Sequence, residues 1–149
     1  MRAVIQRVRY ARLSIGGELV SAIDTGFLVL LGVHTGDTEE DARYIAKKTA
    51  GLRIFDDGGG HMNLSLDDVG GKILLVSQFT LYGDCSRGYR PGFTDAARPE
   101  KAVPLYELVV SLLREKLGED RVLTGVFGAD MQIELLNDGP VTIVIDTEN

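Results

Sequence analysis

Two periods of apolar residues run along this chain. "RAVIQRV" alternates as a first strand, and "ARLSI-GG-ELVSAI" alternates on both sides of a Gly16-Gly17 turn, the pattern of a hairpin. "FLVLLGV" is a continuous apolar run, which predicts a strand covered on both faces. "DTEEDARYIAKKTAG" changes to the helical period: Ala42, Ile45, Ala46 and Thr49 form a narrow stripe, Thr38 with Asp41 matches a capping box, and Gly51 stops it. "LRIF" predicts a short strand, and "DDGGGHMNLSLDDVGG" a turn-rich excursion with room for a small hairpin. "KILLVSQFTL" predicts another buried strand, followed by a Gly-, Arg- and Pro-containing loop from Tyr82 to Arg98. A second long helix ends at Leu117, with Val103, Tyr106, Val110, Leu113 and Leu117 three or four apart; Pro104 is expected in its first turn or at a kink. "RVLTGVF", "DMQIELL" and "VTIVID" predict three closing strands, with "NDGPV" as the turn between the last two and Pro140 at the start of the final one.

Many strands and two main helices, with several hairpin-length links, predict an α+β fold. Its sheet is expected to be mostly antiparallel and able to curl into a barrel. A length of 149 residues fits one domain spanning 1–149.

Composition narrows the setting. The longest apolar run is far short of the ~20 residues of a membrane span, and the basic N-terminal segment has no apolar signal region. A single cysteine, Cys85, forms no internal disulfide and suits a reducing cytoplasm. The net charge of −6 argues against a broad nucleic-acid footprint. The charge is uneven, however. Arg2, Arg7, Arg9 and Arg12 precede the first acid, and Arg87, Arg90, Arg98 and Lys101 cluster later. Two basic patches on an acidic body suit a local, end-specific phosphate contact; solubility decoration explains them equally well.

Candidate chemistry is sparse. Ser77, Thr80, Cys85 and Ser86 are possible acyl acceptors, but neither His34 nor His61 lies in a nucleophile-elbow or triad signature. There is no HExxH and no second cysteine, and the pairs Asp56-Asp57 and Asp67-Asp68 flank turns, so no metal or other cofactor is expected. What remains is "SQFTL", where an apolar strand ends in Ser77, Gln78, Phe79 and Thr80. These residues offer hydroxyls, an amide and backbone N–H groups, but no titratable base. Such a cluster is either a satisfied polar strand end or a pocket that orients a polar substrate and stabilises an oxyanion.

The motifs "MRAVIQRV", "LRIF...HMNLSL", "VSQFTL", "GYRPGF" and "FGADMQIELLNDGPVT" occur in this order over nearly the whole chain. In this the sequence closely resembles the bacterial-type D-aminoacyl-tRNA deacylases, also called D-tyrosyl-tRNA deacylases. Gly92 stands where that family usually has serine, and His61 where lysine is common.

The resemblance implies a cytoplasmic homodimer that hydrolyses the ester between a D-amino acid, or misattached glycine, and the tRNA 3′ end, and spares L-aminoacyl esters. It assigns catalysis to Phe79 and Thr80, and substrate binding to Ser77, Gln78, Met131, Gly139 and Pro140. Gly139–Pro140 is implied to be a cis bond that enters the partner subunit's pocket. The missing base is then supplied by the RNA, whose vicinal ribose hydroxyl assists water. Two other readings stay open: a dimeric module that binds the tRNA 3′ end without turnover, and a hydrolase of small D-amino acid esters with Thr80 as nucleophile.

Overall fold

The computed structural model describes residues 1–148. Its elements run β1 (Arg2–Ile15), β2 (Glu18–Ile23), β3 (Gly26–Gly32), α1 (Glu39–Gly51), β4 (Phe55–Asp56), β5 (Met62–Leu64), α2 (Leu66–Val69), β6 (Lys72–Ser77), α3 (Pro99–Leu117), β7 (Val122–Thr124) and β8 (Gln132–Asp146). Single 3₁₀ turns lie at Phe79–Tyr82 and Glu119–Arg121. Among the described residues, no helix is long and apolar enough to cross a membrane.

The long strand β1 organises the sheet. One edge pairs antiparallel with β3 (Arg2↔Gly32 to Val8↔Gly26) and then with β2 (Ala11↔Ile23 to Ile15↔Glu18). Its other edge pairs with β8 from Arg2↔Asp146 to Ser14↔Gln132. From β3 the sheet continues through β6 to β7, both in parallel register. The Ser21 hydroxyl donates to the Thr124 carbonyl at 2.6 Å, tying β2 back to β7 and curling the sheet toward a barrel. The class is therefore α+β with a mixed sheet, two long helices and the short α2.

The continuous apolar runs are buried on both faces. Phe27, Val29 and Leu31 of β3, with Ile73 and Leu75 of β6, face α1 and α3 in one core. The residues between them turn inward: Leu28, Leu74 and Val76 meet Val8, Leu13 and Ile23 in the barrel interior. Each fully buried aliphatic side chain of this kind contributes about 1.5–3 kcal/mol of transfer free energy. The helix α1 begins as expected, with the Thr38 N–H donating to the Asp41 carboxylate at 2.8 Å.

Four expectations are corrected. The first strand and the first arm of the hairpin are one strand, β1. "LRIF" contributes only Phe55, which forms the two-residue β4 with Asp56 and stacks on Phe27 at 5.3 Å. Pro99 opens α3, and Pro104 lies beyond the first turn, inside the helix; the N–H it lacks would have bonded the carbonyl of Glu100, an exposed residue near the start. The largest change concerns "NDGPV". It is not a turn between two strands but a bulge inside the single strand β8: between the pairs Gln6↔Thr142 and Val8↔Asn137, only Arg7 stands opposite residues 138–141.

Candidate active site

The strand β6 leaves the sheet at the segment flagged by its polar residues. The Gln78 N–H donates to the Leu31 carbonyl at 2.8 Å, extending the ladder by one residue beyond Ser77. The chain then tightens into the 3₁₀ turn Phe79–Tyr82, closed by Leu81 N–H to Gln78 O at 3.3 Å and Gly83 N–H to Thr80 O at 2.9 Å. Gly32 makes room for this turn: a Cβ there would lie 3.0 Å from the Gln78 carbonyl oxygen and 3.1 Å from the Leu81 Cβ. Because a 3₁₀ turn bonds each N–H three residues back, its first donors have no intrahelical partner. Among the described residues, the N–H groups of Phe79 and Thr80 accordingly have no acceptor.

A cleft of about 310 Å³ opens over this strand end. Val76, Ser77 and Gln78 line it together with Phe79; α3 contributes Ala102 and Tyr106; and residues 127–131 close the far side with Phe127 and Met131. The Tyr106 hydroxyl donates to the Leu75 carbonyl at 2.8 Å, and burial pushes its pKa up to about 12, so it stays a proton donor at neutral pH. Phe79 is half-exposed and meets Phe93 edge-on, with ring centroids 5.1 Å apart.

The residues singled out from the sequence thus fall into three places. Ser77, Gln78, Phe79 and Met131 share the cleft. Thr80 lies beside it on the 3₁₀ turn, exposed, with its hydroxyl accepting from the Gln78 amide; among the described residues, no histidine, lysine or carboxylate hydrogen-bonds to it. Gly139 and Pro140 lie on β8 and do not line the cleft of their own chain; the bond between them is cis. His34 packs edge-on against Tyr82, with its Nε2 3.2 Å from Glu148, and His61 sits in the exposed glycine loop near the Gly59 carbonyl; neither lines the cleft.

Two residues escaped the sequence analysis. Among the described residues, Asp130 is the one carboxylate lining the cleft, and it is exposed. It stands directly before Met131 in "FGADM", and nothing in its spacing marks it. Arg7 holds the β8 bulge. Its Nε donates to the Asp138 carbonyl at 2.9 Å, and a second nitrogen donates to the Ile54 carbonyl at 2.7 Å. Only the pairing of β1 with β8 reveals that role.

The charge pattern also changes. The early arginines do not form a free basic patch, because β8 supplies acids: Arg2 pairs with Asp146 at 2.7 Å, Arg7 and Arg9 with Asp138 at 3.5 Å, and Arg12 with Glu134 at 3.6 Å. A groove of about 580 Å³ adjoins the cleft through Tyr106 and Phe127; it carries Glu107, Glu115 and Glu119, while its Arg114 is engaged with the Val122 carbonyl. The smaller cleft sets the Ser77 hydroxyl and the Gln78 amide in an otherwise largely apolar lining, the composition of a candidate binding site.

Comparison with known proteins gives the family of the chain. Residues 4–146 match the family model described as D-Tyr-tRNA(Tyr) deacylase. The chain is 58% identical to the D-aminoacyl-tRNA deacylase of Thermus aquaticus over 147 residues, covering 99% of this chain and 95% of that one. Among solved structures, one titled c-Myc DNA Unwinding Element Binding Protein superposes with a TM-score of 0.93 at 40% identity, covering 99% of both chains. A probable eukaryotic D-amino acid tRNA deacylase shares the fold at a TM-score of 0.83, with 19% identity and 97% of each chain covered. The chain therefore belongs to the D-Tyr-tRNA(Tyr) deacylase family, in its bacterial form.

Proposed function

We propose that the protein hydrolyses the ester of D-aminoacyl-tRNA, and of glycine misattached to tRNA, releasing free amino acid and tRNA. Family membership over the full length supports the reaction class. The observation that carries the mechanism is a cleft at the end of β6 that has no histidine or lysine in its lining, next to a 3₁₀ turn whose Phe79 and Thr80 N–H groups have no acceptor among the described residues. In this reading, water attacks the ester carbonyl carbon while the neighbouring ribose hydroxyl of the terminal adenosine orients it and relays its proton. The resulting oxyanion accepts from the Phe79 and Thr80 N–H groups. The carbon–oxygen bond to the ribose then breaks, and the leaving ribose oxygen takes up the proton. Ser77, Gln78 and Met131 position the terminal adenosine and ester.

Handedness is sensed by the carbonyl oxygens of Gly139 and Pro140 from a second copy. They accept from the substrate ammonium when Cα has the D configuration; in the L configuration the side chain would point at them. Glycine has no side chain to exclude. Two features support a partner's involvement. The bulge does not reach its own cleft, and β8 is a long strand with one edge unpaired in the protomer and with Leu136 and Val144 exposed. A homodimer across β8 would bring each bulge to the other subunit. The cytoplasm, where tRNA is charged, is the setting, and the role is proofreading.

An extended duplex footprint is less well supported, since the arginines of β1 are paired with acids and the net charge is −6. The deciding experiment presents D-tyrosyl, L-tyrosyl and glycyl esters of one tRNA to catalytic amounts of enzyme. Release of the D and glycyl residues with the L ester spared is expected. Stoichiometric binding without release would identify a binding module instead, and equal loss of all three would remove the chiral filter.

A further inference from the structure

We infer that the loop pinched off between Asp84 and Gly92 is the phosphate-binding arm for the RNA strand that leads into the cleft; this rests on the deacylase reading above. The loop is closed at its base by two backbone bonds, Asp84 N–H to Gly92 O at 2.7 Å and Gly92 N–H to Asp84 O at 2.9 Å. Its foot is anchored on the cleft wall. A Cβ on Gly83 would lie 3.2 Å from the Phe93 ring and 3.7 Å from Pro91, and Phe93 in turn packs on Phe79. A short, braced projection therefore stands at the Phe79 side of the cleft mouth.

Its tip is built for a polyanion. Arg87 and Arg90 are exposed and, among the described residues, form no ion pair, unlike every arginine of β1. The acid at the loop's foot, Asp84, turns back on the loop and accepts from the Ser86 N–H at 2.9 Å. Between the two arginines Tyr89 is fully exposed, an aromatic face with no protein neighbour to cover it. Guanidinium forks beside a free aromatic ring match phosphates and an unstacked base of a single strand. The other side of the cleft, at Tyr106 and Phe127, borders the groove carrying Glu107, Glu115 and Glu119, which repels phosphate. The charge distribution thus favours entry of the strand from the loop side.

The test compares D-tyrosyl-tRNA with D-tyrosyl-adenosine, which has the same ester and no phosphate, for the wild type, the Arg87→Gln/Arg90→Gln double variant and the corresponding double lysine variant. For the glutamine variant we expect kcat/KM on the tRNA to fall about tenfold at low salt, and the slope of log kcat/KM against log salt to flatten by about 1.4, the value for two single-strand phosphate contacts. Turnover of D-tyrosyl-adenosine stays within about twofold, and the lysine variant keeps the wild-type slope, since phosphate neutralisation requires the charge. An unchanged salt slope, or an equal fall on both substrates, overturns the role of the loop while leaving the deacylase reading intact. Failure of the wild type to release tyrosine from either substrate would instead contradict the deacylase reading itself.

Discussion

Arg7 and Gly139 meet across the β1–β8 ladder: the Arg7 guanidinium holds the Asp138 carbonyl at 2.9 Å, and a Cβ on Gly139 would lie 3.3 Å from it. The same Cβ would sit 2.9 Å from both the Val141 nitrogen and its Cγ2, and Gly139 has a φ of +131°. A side chain at this position therefore strains the bulge that Arg7 holds through the neighbouring Asp138 carbonyl. Gly139→Ala should cost about 1–3 kcal/mol in denaturant unfolding. On D-tyrosyl-tRNA it should lower kcat/KM by at least about tenfold, as expected for a displaced positioning group.

The outer face of β8 supports a second prediction. Ile143 and Ile145 pack on the core, whereas Val144 is 61% exposed. A charge placed there leaves the protomer's core intact and opposes a second copy. Val144→Asp should shift the protein from dimer to monomer in sedimentation velocity, with deacylation falling in proportion. A monomeric wild type with full chiral selectivity would remove the cross-subunit filter.

Thr80, the nucleophile of the competing reading, and Asp130, the carboxylate at the cleft, are two side chains that could replace the RNA in the chemistry. The Thr80 hydroxyl accepts from Gln78 and has no base beside it; Asp130 is exposed. Thr80→Ala and Asp130→Asn should each retain single-turnover deacylation within about tenfold. Loss of an essential nucleophile or base costs roughly 10³-fold or more. A loss of that size in either variant would assign the step to that side chain.

The ends of the chain are joined by ion pairs whose effect depends on pH. Burial alone raises the pKa of Asp146, but the Glu148 N–H and the Arg2 guanidinium outweigh it and hold the carboxyl below its ordinary value. A carboxyl depressed in the folded state stabilises the fold above the unfolded pKa of about 4, and that stability is lost as pH falls through the lower folded value. Asp146→Asn should lower Tm at pH 7 and reduce the fall in Tm between pH 5 and pH 2, measured by circular dichroism.

Features set by neighbours in sequence were legible. Thr38 and Asp41 mark the start of α1, and the apolar runs of β3 and β6 are buried on both faces. Pairing across the chain was not. Asn, Asp, Gly and Pro do bend the backbone, but only the ladder from β1 shows that the strand resumes beyond them. The arginines of β1 read as a basic patch because the acids that neutralise them lie more than a hundred residues away. For the cleft, the polar strand end at Ser77 to Thr80 was visible; Asp130 and the buttress from Arg7 depend on tertiary placement.

The central claim, that the substrate supplies what the cleft lacks, is tested most directly by single-turnover deacylation of D-tyrosyl-tRNA whose terminal adenosine is 2′-deoxy, compared with the normal tRNA at saturating enzyme. Removal of a positioned proton-transfer group predicts a rate at least about 100-fold slower on the deoxy substrate. Equal rates on the two would contradict the account and return the catalytic base to the protein.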